Sequence, residues 1–199
     1  MRLLPTSTFS ARLASPPTDL ELPASELLLD GSPTGIRVIG AILQATVEWQ
    51  GYRIAFFTDD IPFEEMLRIY MFDSEMGLVD AAVLGAMYST GTFDALTLQP
   101  PDELTFRFFG GTIWRLVLLG EPEFALPFLS DPRGVSRKFK LSRRFRIEGT
   151  PQPEEVRNRA PRAEKAARIQ VATSLPRRAP PKPTPDEDSD KTPAQAALC

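Results

Sequence analysis

Between Ile36 and Leu119 the chain is cut into short apolar runs of strand length, each broken by a turn, and that spacing is the signature of an antiparallel meander. Ile42 to Trp49 and Tyr52 to Thr58 are joined by Gln50-Gly51, whose glycine can supply the positive φ that a two-residue hairpin turn needs. Further along, Leu104, Phe106 and Phe108 alternate with Thr105 and Arg107, and Gly110-Gly111 turns the chain into Thr112 to Leu119. In that return strand Trp114, Leu116 and Leu118 share one side. Ile113, Val117 and Leu119 lie beside Arg115 on the other, so the strand is expected to be buried on much of both faces. Pro100-Pro101-Asp102-Glu103 makes the preceding turn, after a strand from Phe93 to Gln99.

Residues 59–72 admit two readings. Asp59, Asp60, Pro62, Glu64 and Glu65 stand where a helix start favours acids and proline, and Phe63, Met66, Leu67, Tyr70 and Met71 recur at helical spacing. Yet Leu67, Ile69 and Met71 also alternate with Arg68 and Tyr70, and Ser74 to Gly77 resembles a hairpin turn into Leu78 to Leu84. The preferred reading is one helical turn at residues 62–65 followed by strands. The fold class is then mainly β: a small antiparallel meander forming a barrel or sandwich of about seven or eight strands, with one short helix. If the helical reading of residues 62–72 prevails, the class becomes α+β.

A length of 199 residues supports one domain and an extension, and 42% hydrophobic residues suffice for its core. The 20 prolines gather toward the two ends, which sets the expected boundaries: a disordered N-terminal segment 1–23, a β-rich globular domain 24–149, and a disordered Pro/Arg/Ala-rich tail 150–199. Met1 to Pro17 carries Arg2 and Arg12 with no acid before Asp19, a composition shared by plain disordered N-termini and by organelle transit peptides. In the tail, residues 161–171 have too few apolar side chains for a firmly packed helix. Arg177, Pro180 and Pro183 match a short polyproline-recognition pattern, and residues 186–190 form a solvating acidic patch. No run approaches the roughly 18 apolar residues of a membrane-spanning helix. The single cysteine, Cys199, allows no internal disulfide and no thiolate zinc cluster, which suits a cytoplasmic setting.

The net charge of −3 conceals a division. From Glu21 to Asp131 there are 17 acids against 5 arginines, whereas Arg133 to Arg146 carries seven cations and no acid. Period two sorts that basic stretch into a strand with Phe139, Leu141, Phe145 and Ile147 on one face and Lys138, Lys140, Ser142, Arg144 and Arg146 on the other, Arg143 being the exception. Its cations, Arg137, Lys138, Lys140, Arg144 and Arg146, are the candidate partner-binding residues. A basic edge strand also discourages edge-to-edge aggregation, so the same residues have a purely structural reading.

The chain has no histidine, and no lysine precedes Lys138. Imidazole is the usual neutral-pH base and orienter of nucleophiles, so serine and cysteine triads are excluded, as are a phosphate-loop lysine and a Schiff base within most of the domain. Asp59, Asp60, Glu64 and Glu65 could in principle hold a hard cation or form an acid–base pair, but they lack calcium-loop spacing and suit helix capping better. No catalytic residue and no cofactor is assigned. The function expected is a non-catalytic protein-interaction or adaptor module that uses the basic strand. Single-stranded nucleic-acid binding by that strand is the first alternative, with Phe139 and Phe145 stacking on bases, and a carboxylate-dependent metal-binding enzyme the second.

Overall fold

The computed structural model describes residues 1–86, 91–126, 130–138 and 140–152. They form thirteen strands: β1 (Arg2–Leu3), β2 (Phe9–Ser15), β3 (Ala24–Leu29), β4 (Ser32–Ile39), β5 (Ile42–Trp49), β6 (Tyr52–Thr58), β7 (Leu67–Phe72), β8 (Leu78–Leu84), β9 (Asp94–Gln99), β10 (Glu103–Arg107), β11 (Ile113–Phe124), β12 (Val135–Ser136) and β13 (Ser142–Glu148). A six-stranded sheet runs β1-β5-β6-β7-β8-β12, a four-stranded sheet β13-β11-β10-β9 and a three-stranded sheet β2-β3-β4. Every pairing is antiparallel, as the meander pattern implies, and the sheets do not close into a barrel. No helix is long and apolar enough to cross a membrane among these residues.

The six-stranded sheet is apolar on both faces, and this makes a stack of three layers. In β6 every residue from Ile54 to Thr58 is buried. Ile54 and Phe56 enter a core shared with Leu104 and Phe106 of β10, Trp114 and Leu116 of β11, and Phe145 and Ile147 of β13. Ala55 and Phe57 enter a second core with Phe9 of β2, Leu27 of β3 and Val38 of β4. An uninterrupted apolar run is the pattern of a strand covered on two sides, and each fully buried aromatic side chain contributes roughly 1.5–3 kcal/mol. At Gly40, which links β4 to β5 at φ 131°, a Cβ would lie 2.7 Å from the Cβ of Phe57, so a side chain there would collide with the second core.

Local turn chemistry follows the sequence closely. Trp49 pairs with Tyr52, and Gln50 and Gly51 take φ values of 47° and 81°, the doubly left-handed geometry of the tightest hairpin turn. Between β7 and β8, Asp73 Oδ1 accepts from the backbone N–H groups of Glu75 and Gly77.

Three expectations are corrected. Residues 1–23 were expected to be disordered, yet they supply β1, which extends the six-stranded sheet, and β2, whose Phe9 is only 1% exposed; Phe9 finds its apolar neighbours across the hairpin with β3. No helical turn forms at residues 62–65: Asp60 and Phe63 adopt φ of 56° and 68°, outside the helical region, and the chain makes an irregular turn into β7. The basic stretch is not one strand. It divides into β12, at the edge of the six-stranded sheet, and β13, at the edge of the four-stranded sheet. The expected tail, its polyproline pattern, its acidic patch and Cys199 lie outside the described residues, apart from 150–152.

Candidate binding cleft

Because β12 and β13 belong to different sheets, the basic segment crosses from one layer to the other, and a cleft of about 510 Å³ opens beside that crossing. Leu78, Val79 and Ala81 of β8, Ala125 and Leu126 after β11, and Val135 of β12 give it an apolar lining. Arg133, Arg137, Lys138, Lys140 and Arg143 line it as well, with Asp80 and Asp131 as the acids among its lining residues.

Both of those carboxylates are occupied by one guanidinium. Arg137 Nη1 donates to Asp80 Oδ1 at 3.0 Å, and its Nε donates to Asp131 Oδ2 at 3.1 Å. Its Nη2 donates to the carbonyl of Phe145 at 3.0 Å while the guanidinium carbon sits 4.3 Å from the centre of the Phe145 ring. The other oxygen of Asp80 accepts the backbone N–H of Arg144 at 2.6 Å. Asp80 and Arg137 thus satisfy backbone groups on the outer edge of β13, tying β8 to a strand of another sheet.

The remaining cations differ in what holds them. Arg143 donates from Nη1 to the carbonyl of Ser130, lies 3.5 Å from Glu123, and keeps a buried Nε with no acceptor among the described residues. Among the described residues Lys140 Nζ donates only to a neutral carbonyl, that of Val79, at 2.8 Å. Lys138 and Arg133 are exposed. Arg133, Lys138 and Lys140 form no ion pair among the described residues, so within that part of the chain the cleft mouth carries three positive charges without a carboxylate partner.

Of the five residues that the sequence selects, Arg137, Lys138 and Lys140 come together at the cleft. Arg144 and Arg146 do not line it: Arg144 donates to the carbonyl of Gly120 and lies over the Tyr52 ring, while Arg146 faces Glu123 at 3.5 Å. Arg133 and Arg143 are the cleft cations missed, and the apolar lining residues were not selected either. The available signal for Arg143 was its place on the apolar face, where a cation has to find a carbonyl or an acid. Stacking of bases on Phe145 is ruled out, because that ring is wholly buried in the core; Phe139 lies outside the described residues.

The acidic cluster near the start of β7 is internally engaged. Asp59 takes a two-pronged bond from Arg68, Nε to Oδ1 and Nη2 to Oδ2, each at 2.7 Å, with both side chains buried. Burial acts to lower the Arg68 pKa, and the Asp59 contact more than reverses it, leaving the pKa raised. Glu65 Oε1 accepts from the backbone N–H groups of Asp59 and Asp60 at 2.7 and 3.0 Å. Desolvation nonetheless raises the Glu65 pKa above the usual carboxylate value, and those two bonds only offset part of it. Among the described residues no three acids, histidines or cysteines converge to hold a metal ion.

Compared with models of protein families, with curated proteins and with solved structures, the chain matches none.

Proposed function

We propose that this domain is a non-catalytic protein-interaction module whose partner docks at the cleft between β8 and the crossing from β12 to β13. The observation that carries this reading is the set of three cations, Arg133, Lys138 and Lys140, without carboxylate partners among the described residues, at the rim of an apolar-lined recess. Residues from Glu21 to Asp131 have a net charge of −12, so this is a local reversal of sign. Such a reversal steers a complementary surface to one orientation and repels it elsewhere. Arg137 is assigned a supporting role, holding the cleft walls together, and Arg144 and Arg146 flank the docking surface by fixing β13.

The test is affinity co-purification of the full chain beside an Arg133→Glu, Lys138→Glu, Lys140→Glu variant. Proteins that co-purify with the wild type are expected to be depleted about tenfold or more from the variant, because opposed rim charges become like charges. An identical set of co-purifying proteins in equal amounts would overturn the assignment of the docking surface.

A further inference from the structure

We infer, building on the interaction-module reading, that the cleft's occupant is a short extended acidic peptide that places one apolar side chain in the recess and carboxylates on either side of it. The geometry points to this chemistry through two features that an anion alone would not need. The recess is lined by Leu78, Val79, Ala81, Ala125 and Leu126, and Leu78 and Leu126 remain 55% and 48% exposed. Such surface gains from meeting an apolar side chain, while Arg133, Lys138 and Lys140 at the rim gain from carboxylates.

Size and field separate this occupant from a nucleic acid. About 510 Å³ accommodates a side chain and its immediate backbone, not a run of nucleotides. A phosphate chain leaving the cleft would cross a domain rich in unneutralised acids, and the one described aromatic in the basic segment, Phe145, is buried. A short peptide keeps its charges at the rim and avoids that repulsion. Arg143 adds a further donor at the wall: its Nε is buried with no acceptor among the described residues, so a modest shift toward an incoming carboxylate gives it a partner.

The experiment is fluorescence anisotropy of the full chain with a labelled peptide of aspartates and glutamates around a central leucine. Controls are the same peptide with serine for leucine, the same peptide with amides for acids, and a labelled oligothymidylate of equal charge. Serine for leucine should weaken binding about tenfold, the loss expected for withdrawing one buried aliphatic side chain. The amide peptide should bind at least about tenfold more weakly, and added salt should weaken the acidic peptide alone. In the protein, Lys138→Glu with Lys140→Glu should abolish binding, and Leu126→Ser should reproduce the effect of removing the leucine. These side chains are exposed, so the melting temperature should stay near the wild-type value, and a melting curve for each variant checks it.

Equal affinity for the leucine and serine peptides would overturn the apolar anchor. Tighter binding of the oligothymidylate would overturn the peptide in favour of a nucleic acid. If no peptide binds while charge reversal still depletes co-purifying proteins, this inference falls and the interaction-module reading stands; if charge reversal depletes nothing either, both fall.

Discussion

Asp59 and Arg68 place two full charges inside the sheet, and their value lies in being present together. Their side chains are only 1% and 9% exposed, so Asp59→Ala leaves a guanidinium without water or counter-ion. That loss should cost about 3–5 kcal/mol in urea unfolding, whereas Asp59→Leu combined with Arg68→Met should fall close to the wild type. A cost under about 1 kcal/mol for Asp59→Ala would mean that water reaches the arginine. Two residues on, the Tyr70 hydroxyl donates to the carbonyl of Ile39 at 2.8 Å, and burial pushes its pKa up from 10.0 to about 12. The folded state therefore resists forming the phenolate. This contribution is intact below pH 10 and declines as the pH rises from 10 toward 12. Unfolding midpoints measured across that interval should fall for the wild type and fall less for Tyr70→Phe; parallel decline would show that the Tyr70 phenol ionises as freely as an exposed one.

At the scale of the strand, Asp80 does the work of a neighbouring chain, accepting from Arg137 and from the Arg144 backbone at the edge of β13. Asp80→Ala should remove the acceptor of three donors, Arg137 Nη1 and the backbone N–H groups of Arg144 and Ala81, at a partly buried edge and lower stability by about 2–3 kcal/mol, read from urea midpoints. Lys138→Glu, at an exposed position, should stay within about 0.5 kcal/mol. If the two variants matched, the Asp80–Arg137 link would be ornamental to the fold. The contrast explains what was legible beforehand. The hairpins at Gln50-Gly51 and at Ser74 to Gly77 were readable because turn geometry is decided by a few adjacent residues. The link between Asp80 and Arg137 spans 57 positions, and no local pattern announces it. The acids at residues 59–65 read as a helix start for a chemical reason: one of them does cap backbone N–H groups, but Glu65 reaches back across a loop to Asp59 and Asp60 instead of across a helical turn. The cluster of cations was visible as composition. Which of them share a cleft depended on where the chain leaves one sheet for another, and period two alone placed Arg144 and Arg146 with Lys138 and Lys140.

The whole molecule depends on the six-stranded sheet having a cover for each face, and the N-terminal strands provide part of one. Phe9, Ala11 and Leu13 alternate with Ser10 and Arg12, a strand pattern in which only Phe9 is a large buried residue. With prolines and small polar residues on both sides, that signal reads as an unstructured leader, and its partners, Leu27, Val38 and Phe57, are strung along the next fifty or so positions. If β2 is an integral layer, Phe9→Ala opens a cavity in the second core and should cost about 3–5 kcal/mol, the usual range for a buried phenylalanine. Leu13→Ala, at a side chain 47% exposed, should cost less than about 1 kcal/mol. Denaturant unfolding of the two variants, followed by tryptophan fluorescence, separates the possibilities. Trp49 and Trp114 both lie in the first core, so a single transition displaced by Phe9→Ala would show the two cores unfolding together, while an unmoved transition would mean that the third layer contributes nothing to holding the other two.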